Sequence, residues 1–131
     1  MPWILRKRVK REVGHMLSNY QGKCGFPHGH TYWLEVEVQF EELDDRGMGK
    51  DFEEIETIIK EIFPDHVFFK HKDDNRIEEK EGVISLPFNP TAENLSKWAF
   101  EKIKEKGLKV KSVKIEETPF SHAIYFESEK E

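Results

Sequence analysis

The chain has 131 residues, of which 37% are hydrophobic and 36% are charged, and its formal net charge is −5. This length predicts one domain over residues 1–131. The acidic balance argues against nucleic-acid binding, and we find no apolar run of the ~20 residues that a membrane span needs. The single cysteine allows no disulfide within the chain, so we expect a protein of a reducing compartment, the cytoplasm.

Two stretches in the first third of the chain alternate between apolar and polar residues, which predicts half-buried β-strands. In residues 3–17 one parity carries Trp3, Leu5, Val9, Val13, His15 and Leu17, and the other carries Arg6, Arg8, Lys10 and Glu12. In residues 30–40 the even positions, from His30 to Phe40, share one face. We expect the basic run from Arg6 to Arg11 to lie on the solvent face of the first strand.

The middle of the chain carries two helical patterns. Apolar residues recur at helical spacing from Phe52 to Phe63, and Pro64 is expected to end that helix. Thr91 is a natural N-cap for a second helix, which Gly107 is expected to close.

Short extended segments are expected near residues 67–70 and 83–88, and a final pair of strands around Thr118-Pro119. This order of elements predicts an α+β fold, a four-stranded antiparallel sheet with two helices on one face. The other face of the sheet is then either polar or packed on another subunit.

The stretch from Cys24 to His30 places the only cysteine and two histidines at the start of the second strand. His28 and His30 are two residues apart and point to the same side of a strand, the inward side. His15 has the inward parity of the first strand. If these strands pair as a hairpin, three imidazoles meet at one end of the core, a ligand set that suits Zn²⁺.

Two interpretations of this cluster stay open on the residues alone. Three histidines leave a fourth zinc position free, as catalytic sites do. With Cys24 added, the same residues would complete a four-ligand structural site, and spacing does not exclude it. A structural zinc module that binds a partner is therefore an alternative to an enzyme.

Two further groups are candidates for chemistry. Asp65 directly precedes His66 after the first helix, so the carboxylate can orient the imidazole, although a cation at a helix C-terminus is the commoner explanation. Glu117 shares the inward parity of the strand around Ile115. An inward carboxylate is costly unless it is paired or accepts hydrogen bonds, but a solvated strand end also accounts for it.

These residues resemble one known family, and the matching segments run in family order across nearly the whole chain. The segments are Gly14-His15, Cys24 to Tyr32 (C-x-x-x-H-G-H-x-Y), Gly47-Met48, Asp51-Phe52, Asp65-His66, Pro90 to Leu95 and Glu117-Thr118. They resemble the 6-pyruvoyl-tetrahydropterin synthase and 6-carboxytetrahydropterin synthase family, which has the tunnelling fold.

The resemblance implies a role for each matching position. His15, His28 and His30 would bind zinc, and Cys24 would be the general base beside it. Asp65 and His66 would complete a proton relay with Cys24. Glu117 would anchor a pterin ring, with help from Thr91. Family members form homohexamers from two stacked trimers, in which the sheets close into a barrel and sites lie at subunit contacts.

The resemblance also implies a substrate, 7,8-dihydroneopterin triphosphate. Three residues separate Cys24 from His28, a spacing that resembles the carboxy-forming subtype, whereas the pyruvoyl-forming subtype has five. The expected products are 6-carboxy-5,6,7,8-tetrahydropterin, acetaldehyde and triphosphate. Formation of 6-pyruvoyl-tetrahydropterin and cleavage of the dihydroneopterin side chain are the alternatives. Queuosine, biopterin and folate-type routes all use related chemistry.

Overall fold

The computed structural model describes residues 2–128, which form a six-stranded sheet and two α-helices. The strands are β1 (Trp3–His15), β2 (His28–Phe40), β3 (Val67–His71), β4 (Val83–Leu86), β5 (Val110–Thr118) and β6 (Ser121–Phe126). The helices are α1 (Phe52–Ile62) and α2 (Ala92–Glu105). The strands lie side by side in the order β4-β3-β1-β2-β5-β6.

The β1–β2 hairpin is the longest ladder of the sheet. Trp3 lies opposite Phe40 at the open end and His15 lies opposite His28 at the closed end. Because side chains alternate along a strand, this register sends both histidines and the apolar positions to the same face. The two strands are joined by residues 16–27, which we call the cysteine loop.

The sheet has more strands than the sequence predicts, so the prediction of a four-stranded antiparallel sheet is wrong in two respects. The segments expected near 67–70 and 83–88 are the strands β3 and β4. β3 pairs with β1 and with β4, and both pairings are parallel. These strands have only five and four residues, too few for alternation to reveal which face they bury.

Both helices begin at side-chain caps. The Asp51 carboxylate accepts the amide of Glu53 at 2.8 Å, and the Thr91 hydroxyl accepts the amide of Asn94 at 3.1 Å, as expected of N-caps. Gly107 follows α2 with a φ of 90°, a left-handed conformation that suits glycine. The helices cover one face of the sheet, and the core between them includes Tyr32, Leu34, Val36, Ile55, Ile59, Leu95, Ala99, Val113 and Ile115.

The opposite face of the sheet is polar, one of the two arrangements expected for it. Arg6 pairs with Glu37 at 2.7 Å, and the Arg8 guanidinium lies 4.1 Å from the centre of the Trp33 ring. Arg11 departs from this pattern, because it points into the core and is only 7% exposed. Within residues 2–128, no helix is both long and apolar enough to span a membrane.

Candidate metal and pterin site

Three histidine side chains meet at the closed end of the β1–β2 hairpin. Their ring centres are 4.5 Å apart for His15 and His28, 5.1 Å for His15 and His30, and 4.8 Å for His28 and His30. The hairpin register and the i, i+2 spacing in β2 produce this convergence, as the parity of the two strands predicts.

A carboxylate from β5 completes the group. Glu117 Oε1 lies 3.1 Å from His30 Nε2 and 3.9 Å from His15 Nε2. One ligand atom from each of these four residues lies within 4.8 Å of the others, so the group could hold a metal ion. Ligands at ~2.0–2.1 Å from a tetrahedral Zn²⁺ are about 3.3 Å apart, so the observed spacing is slightly open but suitable.

Backbone carbonyls orient two of the rings. His15 Nδ1 lies 2.8 Å from the Pro90 oxygen and His28 Nδ1 lies 2.7 Å from the Phe26 oxygen. A carbonyl only accepts, so each Nδ1 carries the proton and each Nε2 keeps its lone pair, the tautomer of a metal ligand. The Nε2 atoms of His28 and His30 are buried and have no hydrogen-bond partner. Buried polar atoms are rarely left so, and a cation between the rings would satisfy both.

Burial favours the neutral form of His15 and His30. Burial, with a smaller contribution from the neighbouring imidazoles, lowers the pKa of His15 to about 4, although the hydrogen bond to Pro90 opposes the shift. Burial also lowers the pKa of His30, and the carboxylate of Glu117 only partly offsets this. Metal ions bind neutral imidazoles, so both rings are ready to act as ligands near neutral pH.

Cys24 lies in the cysteine loop, four residues before His28, and is outside the ligand group. It occupies a single 3-10 turn, Lys23–Gly25, and is partly buried. Burial raises the pKa of the Tyr32 hydroxyl, and the charges of Glu117 and Cys24 raise it further, which places the thiol near this buried ring. Among the described residues, Glu117 and not Cys24 supplies the fourth potential ligand.

Asp65 and His66 form a pair at the start of β3. Asp65 Oδ2 lies 3.3 Å from His66 Nδ1 and 3.3 Å from an Arg11 nitrogen, and Asp65 Oδ1 accepts the Glu12 amide at 2.6 Å. Burial opposes ionisation of Asp65, but these hydrogen bonds and charges outweigh it and lower its pKa. The His66 side chain is 78% exposed, and its φ of 55° is unusual for a residue other than glycine.

The structure does not bring this pair to Cys24 within one chain. In the part of the chain from residue 2 to residue 128, the hydrogen bonds and ion pairs of Asp65 and His66 reach only residues 11 and 12 and each other. His66 does line an open cavity of about 590 Å³ together with His28 and His30. Of the three residues of the predicted relay, the single chain therefore brings together Asp65 and His66 but not Cys24.

A second cavity adjoins Glu117. Its volume is about 390 Å³, and it lies between the first turn of α2 and strand β6. It is lined by Ala92, Glu93, Glu117, Ser121, His122, Ala123 and Ile124. Thr91 stands just before this turn, but its hydroxyl already accepts a hydrogen bond as the helix cap.

Comparison with known proteins identifies the family of the chain. A family model described as 6-pyruvoyl tetrahydropterin synthase matches residues 4–128. The chain belongs to this family. Its relatives include a 6-carboxy-5,6,7,8-tetrahydropterin synthase of Haemophilus influenzae, 28% identical over 94% of this chain and 98% of the relative. Another of the same name, from Rickettsia bellii, is 35% identical over 69% of this chain and 72% of the relative.

The fold is also that of a solved member of the family. The structure of Caenorhabditis elegans 6-pyruvoyl tetrahydropterin synthase superposes with a TM-score of 0.75 at 22% identity, covering 98% of this chain and 97% of that one. At this identity the likeness concerns the fold alone. Family membership makes the chain a tetrahydropterin synthase-type enzyme.

Sequence reasoning missed two residues of this candidate site. Tyr32 is fully buried, with its ring stacked on His30 and its hydroxyl 3.2 Å from His15 Nδ1. Arg11 supports Asp65 from the core side of β1. Arg11 occupies an odd position in β1, which predicts an inward side chain. Because it belongs to a run of basic residues, it is easily assigned to the solvent face with them.

Proposed function

We propose that the protein is a zinc-dependent lyase. It converts 7,8-dihydroneopterin triphosphate and water into 6-carboxy-5,6,7,8-tetrahydropterin, acetaldehyde and triphosphate. The observation that carries this proposal is the cluster of three imidazoles at the end of the hairpin, two of them with buried Nε2 atoms that lack a hydrogen-bond partner, in a chain of this family.

Zinc is the ion that fits these ligands best. His15, His28 and His30 would hold it, since three imidazoles that leave a position free are typical of catalytic zinc. Bound there, zinc would supply Lewis-acid polarisation of the substrate's side-chain oxygens. The carbonyls of Pro90 and Phe26 hold two of the rings in the ligand tautomer, so the site is preorganised.

Glu117 has the position and chemistry of a pterin anchor. A carboxylate can accept two hydrogen bonds from adjacent N–H groups of a ring, and the 390 Å³ cavity beside Glu117 offers room for one. Thr91 directly precedes Ala92, which lines that cavity, and it could donate its hydroxyl proton while it caps the helix. Fixing the ring here sets the side chain of the substrate against the histidine cluster.

Cys24 is the proposed general base, and the length of the loop before His28 favours the carboxy product. Removal of a proton from a side-chain hydroxyl drives cleavage of a carbon–carbon bond, whereas removal from carbon drives loss of triphosphate and a pyruvoyl product. Pro27 stiffens the three-residue link, because its φ is fixed near −65°. A Cys24 thiolate held in one place by this link would reach one of these protons, and we propose that it is the hydroxyl proton.

We also propose a homohexamer of two stacked trimers. β6 is an edge strand whose outward residues Ile124 and Phe126 are 48% and 66% exposed, and β4 is the opposite edge. Pairing of these edges between copies would close the sheets into a barrel and cover both. A neighbouring copy could then supply the Asp65–His66 pair to Cys24. The free thiol fits a cytoplasmic location.

Product analysis tests the reaction directly. The zinc-loaded protein is incubated with 7,8-dihydroneopterin triphosphate, the pterin is identified by mass spectrometry, and acetaldehyde is trapped with alcohol dehydrogenase and reduced nicotinamide. We expect carboxytetrahydropterin and acetaldehyde in equal amounts. A pyruvoyl-pterin without acetaldehyde would overturn the product, and absence of turnover would favour a structural zinc module.

A further inference from the structure

The cysteine loop is tightly folded around Cys24. The Leu17 amide donates to the Cys24 carbonyl at 2.8 Å, and the Gly25 amide donates to the Gly22 carbonyl at 3.1 Å. A Cβ atom on Gly25 would lie only 2.4 Å from the Tyr20 carbonyl oxygen, so the backbone passes too close for any other residue. The loop is therefore packed rather than open, although it has no long element of secondary structure.

An arginine from a distant segment reaches into this loop. Arg76 lies between β3 and β4, and its Nη1 donates to the carbonyl of Gly25, the residue directly after Cys24. Its Nη2 donates to the Leu17 carbonyl at 3.3 Å. These carbonyls lie on either side of the Cys24 turn, so one guanidinium links both ends of the segment that carries the thiol.

A buried carboxylate holds the guanidinium in place. Asp74 accepts Arg76 Nε at 2.9 Å and Nη2 at 2.6 Å, and it also accepts the Ser18 hydroxyl at 2.9 Å. The hydrogen bond from Arg76 keeps the pKa of Asp74 far below its usual range, although burial opposes this. The Asp74 side chain is 6% exposed, and forked, charge-assisted bonds of this kind set geometry as well as energy.

We propose that Arg76 is a positioning residue, which fixes the thiol of Cys24 against the histidine cluster through the backbone of the cysteine loop. This rests on the proposed function, in which Cys24 moves the proton. Arg76 touches no member of the cluster. Its side chain is 45% exposed, so its removal opens no cavity in the core.

The chain supplies a matched control. Arg46 pairs with Asp44 in the same i, i+2 arrangement, with Nε 3.2 Å and Nη2 2.9 Å from the carboxylate. Its hydrogen bonds stay within its own exposed turn. Arg46→Gln therefore removes an equivalent ion pair without touching the cysteine loop.

The test compares Arg76→Gln, Arg76→Lys and Arg46→Gln in the zinc-loaded protein. We expect Arg76→Gln to lower kcat about tenfold to a hundredfold, since a 1 Å misplacement can cost ~10². KM and metal content should stay near those of the wild type, whereas the thermal midpoint should fall because the buried Asp74 loses its charged partner, so kcat is compared below the lower midpoint. Arg76→Lys should recover only part of kcat, because an ammonium cannot reproduce the fork. Arg46→Gln should leave kcat unchanged.

The lone cysteine gives a second readout that needs no turnover. Iodoacetamide labels Cys24 alone, and at a pH that ionises the thiol its rate reports access to the sulfur. We expect faster labelling in Arg76→Gln than in Arg46→Gln and the wild type. Equal labelling rates, or equal kcat in Arg76→Gln and Arg46→Gln, would overturn the proposal. Loss of metal from Arg76→Gln would overturn it too, because the arginine would then support the cluster. If the wild type makes no product but labelling still differs, thiol positioning stands and the proposed reaction fails.

Discussion

The histidine cluster and the Asp65–His66 pair lie near each other but are built in opposite ways. The cluster is mostly shielded from solvent and is drawn from three strands of one sheet, and its ligand atoms lie within 4.8 Å of one another in a single chain. The pair sits at the start of a short strand with the His66 side chain 78% exposed.

This difference separates the candidate metal-binding residues, which one chain brings together, from the proposed proton relay, which one chain leaves incomplete. The cluster follows from strand register, so it should exist in every folded chain, whatever its assembly. Among residues 2–128 the pair has no hydrogen-bond or ion-pair partner that leads to the thiol, so the proposed relay requires a second chain.

Removing a ligand should have the largest effect. His28→Ala deletes a buried Nε2 that has no other partner, so we expect bound metal to fall from about one ion per chain to almost none, with loss of all turnover. Elemental analysis of the purified protein measures this. His71→Ala is the control, because that imidazole only accepts the Asp73 amide outside the cluster. Full metal content in His28→Ala would show that His28 is not a metal ligand.

Removing the thiol should abolish chemistry and spare binding. We expect Cys24→Ala to keep its metal and fold while kcat falls ~10²–10⁴-fold, the usual contribution of a positioned acid–base group. Steady-state kinetics and metal analysis on the same sample measure both. Should the metal leave with the sulfur, Cys24 is a ligand and the site is structural.

Neutralising Glu117 should weaken the pterin. We expect Glu117→Gln to reduce affinity for a dihydropterin lacking phosphates by ~2–5 kcal/mol, the cost of removing one partner of a buried charged contact. Calorimetry measures this at constant metal content. Glu116→Gln is the control, since Glu116 pairs with Arg8 on the other face of the sheet. Equal affinities for the two variants would make Glu117 a solvated strand end.

Mixed assemblies should show whether the relay is shared. Cys24→Ala and His66→Ala are each inactive in this scheme, but an equal mixture reassembled together should regain roughly a quarter of wild-type activity, because random mixing pairs an intact thiol with an intact partner imidazole in that fraction of sites. Separate refolding of the two variants is the control. If the mixture stays inactive, Cys24 and His66 work within one chain or not at all.

Acid should weaken the metal-free fold. His15 has a pKa of about 4 when folded, and exposure on unfolding returns it toward 6.5. The unfolded chain then binds more protons between these values, so stability falls as the pH drops from about 7 toward 4, by up to ~1.4 kcal/mol per pH unit. Denaturation in chelator at pH 5 to 7 tests this, and His15→Leu should reduce the slope. If stability depends on pH equally steeply in His15→Leu, another titrating group causes the effect.

Some of this site could be predicted from sequence, because strand parity is local. Alternation alone places His15 and His30 on the buried face, and it also directs Glu117 inward. Family motifs then suggest the roles. The parts of the site that could not be predicted from sequence depend on contacts between residues far apart in the chain. The bond from Arg76 to Gly25 joins positions 51 apart, and nothing in either segment points to the other. The sequence predicts only short extended segments where β3 and β4 lie, because short strands reveal their pairing only through their neighbours.

The closed end of the hairpin has a consequence for how the chain reaches its fold. The β1–β2 ladder is joined by only 12 residues, and closing a loop of that size costs little chain entropy. His15 and His28 face each other beside that loop, so closing the hairpin brings them together without the distant strands β3 and β5. In the proposed zinc-bound protein, an ion held there would cross-link the hairpin and favour the correct register over a one-residue slip. A chain folded without metal would have to find this register from its hydrophobic pattern alone.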